Sequence, residues 1–310
     1  MNLRQQTVKI PHAVKTCAEE EDVDEIFLIA GRSSADSRGG RRVELGRGAE
    51  PWRGPREGIR VLMCEYCTMT SEELETAFAS TCVVVPAFNE GRSIASVVQS
   101  IEEHMPRATV AVVNDGSRDD TAQRAREAGA TVLDLAINLG IGGAVQTGYK
   151  FALERGFTYV IQIDGDGQHD PSESRHLIET LVDGGADIAI GSRWLGRGDY
   201  VAARNRRYGM KILESIVSWR AGSRFTDTTS GFRALNRRAI ALFAEHYPRD
   251  YPEVESIVVA HHYGLTVVEV PVAMKQREHG ESSIRGLKSL YFMVRVTMGL
   301  MLGVVGGDTQ

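Results

Sequence analysis

The stretch TCVVVPAFNEGRSIASVVQSIEEHMPRATVAVVNDGS, residues 81–117, decides the fold. Cys82–Pro86 is an apolar run of strand length, Ser93–His104 is a helix-length segment, and Thr109–Val113 is a second apolar run. Strand, helix and strand joined by short connections form the repeating unit of a parallel sheet. Outward from this unit the pattern continues. Further runs lie at Thr131–Leu135, Tyr159–Ile163 and Asp187–Ile190, separated by helix-length segments at Asp119–Ala128, Gly142–Glu154 and Pro171–Val182. The alternation predicts an α/β fold with a mostly parallel sheet covered by helices on both faces. Ligands in such sheets bind at the carboxyl ends of the strands, so function is to be sought in the residues just beyond each strand.

Toward the N-terminus the text changes character. Residues 31–60 (GRSSADSRGGRRVELGRGAEPWRGPREGIR) are rich in Gly, Arg, Ser and Pro, too poor in apolar surface to offset the entropy of ordering. A start-like MTSEELETAF begins at Met69. Residues 1–78 are therefore expected to be a disordered or wrongly included extension, with the main domain at 79–286. In the last segment, 287–310, the stretch Leu287 to Val305 is apolar except for Lys288, Ser289, Arg295 and Thr297. With a charge near its middle it suits an interfacial or docking helix better than a spanning one.

Composition narrows the class. The 310 residues are 42% hydrophobic, enough for a sizeable core, and the net charge of −5 argues against a general nucleic-acid binder. Cys64 and Cys67 form a lone CxxC without a second pair or a His at metal spacing. Four cysteines and no leader sequence point to a reducing cytoplasm.

The strongest chemical signal comes after the fourth run. Ile163 leads into Asp164-Gly165-Asp166-Gly167-Gln168-His169-Asp170-Pro171. Two carboxylates separated by one residue, with the amide oxygen of Gln168 two further on, make an oxygen-rich site for Mg2+ or Mn2+. An EF-hand loop does not fit, because His169 stands where that loop requires Gly and Arg175 where it requires Glu. Asp170 suits a helix cap before Pro171. Asp115, in Asn114-Asp115-Gly116-Ser117, places an acid directly at a strand end, where it can accept hydrogen bonds from a base or ribose. Asn138-Leu139-Gly140-Ile141-Gly142-Gly143 lacks the spacing and the position of a dinucleotide-binding loop; its glycines suit close backbone approach. Basic residues sit where phosphates would need them: Arg193 after the fifth run, then Arg204, Arg206, Arg207 and Lys211, and Arg277 near the end.

PAFNE (86–90), NDGSRDDT (114–121), NLGIGGAVQTGY (138–149), DGDGQHDP (164–171), GSR (191–193) and TSGFRALNR (229–237), in this order, resemble family 2 glycosyltransferases of the GT-A fold. The closest branch is that of dolichyl-phosphate mannose synthase and its bacterial polyprenyl-phosphate relatives, and the likeness runs from about Cys82 to Ile284. The resemblance implies that Pro86, Ala87, Phe88 and Glu90 hold the nucleoside, with Asp115, Ser117, Asn138 and Gly140 beside it and Asp164 toward the donor. It implies that Asp164, Asp166 and Gln168 hold Mg2+ or Mn2+, and that Asp166, Arg193 and Arg277 carry the catalytic work on the diphosphate. Arg204, Arg207, Lys211 and Ser230 would meet the acceptor, and Ser230-Gly231-Phe232-Arg233 would shape the sugar pocket. Phe88 stands where Tyr is frequent, and Ser283 where Lys is often found.

The implied activity is inverting transfer from a nucleotide-diphosphate sugar to a polyprenyl phosphate. The enzyme is then expected in the cytoplasm, peripheral on the inner face of the cell membrane, docked on that surface or on a small membrane partner. A saccharide hydroxyl acceptor in cell-surface polysaccharide synthesis is the alternative, and it would require a general base such as Glu253 or Asp227. A non-catalytic nucleotide-sugar binder is a third reading. Nucleic acid is not an expected partner.

Overall fold

The computed structural model of the chain describes residues 69–195, 214–221 and 224–274. Within them a seven-stranded sheet carries helices on both faces. The strands are β1 (Thr81–Ala87), β2 (Thr109–Asn114), β3 (Thr131–Asp134), β4 (Tyr159–Gln162), β5 (Ile188–Ser192), β6 (Arg233–Asn236) and β7 (Val267–Pro271). The helices are α1 (Ser71–Ala79), α2 (Ile94–His104), α3 (Thr121–Glu127), α4 (Gly140–Glu154), α5 (Ser174–Val182), α6 (Arg237–Glu245) and α7 (Pro252–His262). A further helical stretch covers 214–220.

The strand order is β3-β2-β1-β4-β6-β5-β7. All pairings are parallel except those of β6, which runs antiparallel to both β4 and β5. The five runs expected from the sequence are all strands, but β5 does not lie beside β4. β6 comes between them, a four-residue strand that sequence periodicity did not signal. It contains Arg233 and passes into α6 without a loop, so it shows neither alternation nor a boundary. Asn236 ends the strand and caps the helix at once, its Oδ1 accepting the Ala239 N–H at 3.0 Å.

Burial on both faces explains why β1 reads as unbroken apolar text: all seven of its residues are buried. Alternate side chains feed two cores. Cys82 and Val84 pack with α4, α6 and α7 through Val145, Tyr149, Phe243 and Ile257. Val83 and Val85 pack with α1, α2 and α5 through Phe78, Ile94, Ile101 and Leu177. Helix α1 falls before the boundary expected at residue 79, yet it belongs to the domain. Thr70 and Glu73 form a reciprocal capping box at its start, and Met69, Ala77 and Phe78 are buried in the second core.

β1 lies between β2 and β4, so the chain leaves β1 to one side and returns on the other. The crevice at such a reversal is where ligands bind in open α/β sheets. Helix α4 reaches this position by close approach to β1. A Cβ on Gly148 would lie 2.2 Å from Val84 Cγ1. Gly148→Ala should therefore lower stability, because overpacking costs of about 1–3 kcal/mol exceed the ~1 kcal/mol gained in helix propensity. Urea denaturation should show an earlier midpoint with an unchanged slope.

Candidate active site

Three loops at the carboxyl ends of β1, β2 and β4 form the site. The first two are laced together. Asn89, held in the left-handed region at φ 55°, donates its N–H to Ser117 Oγ at 2.9 Å and accepts the Arg118 N–H on Oδ1 at 2.9 Å. The Gly91 N–H donates to Asp119 Oδ2 at 3.0 Å. Burial alone would raise the Asp119 carboxyl, but hydrogen bonds from Thr121 and Gly91 outweigh it and hold the group below its ordinary value. Pro86 and Ala87 are buried in the floor, Phe88 is 47% exposed at the mouth, and Glu90 Oε2 accepts the Ser93 hydroxyl at 3.1 Å.

Asp115 is 3% exposed. Its Oδ1 accepts the Leu139 N–H at 2.6 Å and its Oδ2 the Gly140 N–H at 3.0 Å, while Asn138 Nδ2 donates to the Asp115 carbonyl at 3.0 Å. The acid that sequence placed on a base or ribose is thus a strut joining β2 to the start of α4. Asn138 and Gly140 belong to the same strut.

Beyond β4, Asp164 has a side chain 37% exposed, and its carboxylate lies against the backbone of Gly231. A Cβ on Gly231 would stand 2.9 Å from Oδ1 and 3.0 Å from Oδ2. Asp166 is nearly buried, and its Oδ1 accepts the Gln168 N–H at 3.0 Å. Asp170 caps the next turn by accepting the Ser172 N–H at 3.1 Å. His169, passed over in the sequence except as an obstacle to an EF-hand, packs beside Asp164.

The far wall comes from the loop before β6 and from α7. Arg233 is buried, its Nε donating to the Ser230 carbonyl at 2.8 Å and its two terminal nitrogens to Ser256 Oγ and the Glu253 carbonyl. Ser230 Oγ accepts the Phe232 N–H at 3.3 Å inside the same turn. The Glu253 side chain faces this group. Burial raises its carboxyl, the Arg233 guanidinium pulls it down, and the nearby Asp164 carboxylate pushes it up again, for a net rise. Tyr149, whose hydroxyl donates to Gln162 Oε1 at 3.0 Å, is completely buried behind them.

Arg193 is not presented as an open phosphate clamp. It grips Asp227 through two parallel contacts of 2.8 Å, and its N–H donates to the same carboxylate at 3.1 Å. Asp227 is fully buried in this pair and so is not placed to serve as a general base. It is held from behind by Glu269 of β7, whose carboxylate accepts N–H groups of Thr226 and Asp227 and the Thr226 hydroxyl. Burial raises the Glu269 carboxyl despite these contacts. Arg204, Arg207, Lys211 and Arg277 lie outside the described residues.

Both the buried ion pair and the buried acid should register in stability. Arg193→Ala leaves the Asp227 charge buried without its cation, so unfolding free energy should drop by about 3–5 kcal/mol, readable by urea denaturation. The Glu253 carboxyl binds its proton more tightly in the folded chain than in the unfolded one. Its contribution to stability is full below the unfolded value near 4.5 and is lost as pH rises through the higher folded value. Glu253→Gln removes that loss, so melts across this range should show the variant gaining on the parent as pH rises, then levelling off.

Residues 82–243 match the family model described as glycosyl transferase family 2. The polyprenol monophosphomannose synthase of Mycolicibacterium smegmatis is 31% identical over 66% of this chain and 81% of its own length. The undecaprenyl-phosphate mannosyltransferase of Micrococcus luteus is also 31% identical, over 66% of this chain and 86% of its own. Glucosyl-3-phosphoglycerate synthase of Mycobacterium tuberculosis, solved with Mn2+, uridine-diphosphate-glucose and phosphoglyceric acid, superposes with a TM-score of 0.60, covering 79% of this chain and 87% of that one at 23% identity. That likeness shows a shared GT-A architecture. The chain is a glycosyltransferase belonging to family 2.

Proposed function

We propose that this enzyme transfers a sugar from a nucleotide-diphosphate sugar to a polyprenyl phosphate, with inversion at the anomeric carbon. What carries the reading is similarity, over two thirds of the chain, to two mannosyltransferases named for polyprenol and undecaprenyl phosphates. The site geometry supports it. Pro86, Ala87, Phe88, Glu90 and Ser117 border a crevice at the sheet reversal for the nucleoside, with Asp115 fixing its wall through Leu139 and Gly140. Ser230 and the turn it holds would border the sugar and the acceptor.

Asp164, Asp166 and Gln168 suit a hard divalent cation. Among the described residues no group of three or more His, Cys, Asp or Glu is arranged to hold a metal ion by itself. A cation here would draw on two carboxylates and an amide oxygen, with donor phosphates and water completing its shell, as Mg2+ commonly does. Such a cation supplies charge to offset the developing diphosphate leaving group. Arg277 would act on the diphosphate, and Arg204, Arg207 and Lys211 on the acceptor phosphate. Arg193 would serve this end of the site from within its pair with Asp227.

A lipid phosphate is already an anion near neutral pH and asks no side chain for proton removal. One observation favours the second reading, a saccharide hydroxyl acceptor: the raised Glu253 carboxyl beside Asp164 is chemically suited to a general base. The enzyme is proposed to work at the inner membrane face, on the lipid surface or with a small membrane partner. None of the described helices is long and apolar enough to cross a membrane, and the apolar segment 287–310 lies outside the described residues.

The test is an assay of purified protein with a panel of nucleotide sugars against polyprenyl phosphate and saccharide acceptors. Turnover on the lipid phosphate should vanish in Asp166→Ala and in excess EDTA, while Glu253→Gln stays within a few-fold of the parent. Full activity in EDTA would remove the metal from the reading. Transfer only to hydroxyl acceptors, with a ~10²–10⁴-fold loss in Glu253→Gln, would replace the lipid phosphate by a saccharide.

A further inference from the structure

His169 has no assigned role in the proposed transfer chemistry, yet its side chain is only 5% exposed and packs against Asp164 and Phe232. Nδ1 accepts the backbone N–H of Asp164 at 3.1 Å. A backbone N–H can only donate, so Nδ1 carries the lone pair and the ring proton sits on Nε2. Nε2 stands 3.7 Å from Asp164 Oδ2, beyond hydrogen-bond length but close enough for its N–H dipole to favour that oxygen. The ring stacks on Phe232 with centroids 5.0 Å apart and planes 18° from parallel. The His169 backbone also bridges to Met274, just past β7.

These contacts leave the ring one orientation. A flip about χ2 would replace Nδ1 by a carbon and strand the Asp164 N–H. Phe232 follows Gly231, the residue on whose backbone the Asp164 carboxylate rests. One ring therefore ties the loop after β4 to the turn before β6, bonded to the Asp164 amide and facing its carboxylate at 3.7 Å.

We propose that His169 is a positioning residue for Asp164, fixing the carboxylate for the divalent cation through both ring nitrogens. The inference rests on the metal reading of Asp164 and Asp166. Groups that orient a ligand from behind typically contribute about 10–100-fold in metal affinity.

The experiment is Mn2+ titration, with free Mn2+ read by electron paramagnetic resonance, of the full chain, His169→Ala, His169→Asn and Asp166→Ala, each with its Tm. His169→Ala should bind Mn2+ about 10–100-fold more weakly. His169→Asn keeps an acceptor at the δ position for the Asp164 N–H but lacks Nε2, so it should fall between His169→Ala and the parent. In turnover the loss should appear as a higher Mn2+ requirement, with kcat largely restored at saturating metal. His169→Ala binding within twofold of the parent overturns the proposal. So does equal loss in both His169 variants, which would make the ring a packing residue only. If His169→Ala does not fold, a folded His169→Asn that binds as the parent does overturns it as well. A parent that binds no more Mn2+ than Asp166→Ala defeats the metal reading itself, an outcome distinct from these.

Discussion

β4 and β6 run in opposite directions, with Gln162 opposite Arg233. Two residues beyond Gln162 stands Asp164, and two residues before Arg233 stands Gly231. The antiparallel register therefore brings the end of one strand and the approach to the other to the same point, and the Asp164 carboxylate rests on Gly231 because the ladder puts it there. A parallel neighbour would have carried its own carboxyl end to this edge and left no incoming loop to close the site. The GT-A arrangement depends on that one reversed strand.

The rest of the pocket is built on this register. Arg233 begins β6 buried, and burial of a guanidinium requires partners for its donors. It finds them in the Ser230 carbonyl and in Ser256 and Glu253 at the start of α7. The helix is thereby fixed with Glu253 near Asp164, and burial, helped by the Asp164 carboxylate, raises the Glu253 carboxyl against the pull of Arg233. A second, largely covered cation, Arg193, is neutralised by the buried Asp227 in the loop leading to the same turn, and Glu269 holds that loop through its backbone. Two arginines, Arg193 just past β5 and Arg233 at the start of β6, thus give the turn at 226–232 a single defined shape.

Much of the site could be read in the chain because its signals are local. Asp164 and Asp166 are two residues apart, so proximity is covalent and their meeting needs no fold. The strand ends at Ala87 and Asn114 announce themselves by the break from apolar to polar text. Other assignments depended on partners far away. Asp115 reads as a ligand contact, and its spacing does not announce that the amides of Leu139 and Gly140, 24 and 25 residues on, also donate to its two oxygens. Arg193 reads as a phosphate clamp, and nothing near it announces the pair it forms with Asp227, 34 residues later. His169 lies within the DGDGQHDP motif, but its spacing there does not announce its contacts with Asp164 or its stack on Phe232.

The sequence by itself determined the α/β class, the order of the first five strands along the chain, and the acidic pair that marks the working end of the sheet. Periodicity and burial make these legible: a strand covered on both faces must be continuously apolar, and the polar residues that interrupt it mark where the strand ends. Tertiary structure alone decided that β6 comes between β4 and β5, that α1 belongs to the domain, and which charges are spent inside the protein. Those outcomes rest on pairings between distant segments, where the free energy comes from satisfying a buried donor or charge, and no local spacing records which partner will do so.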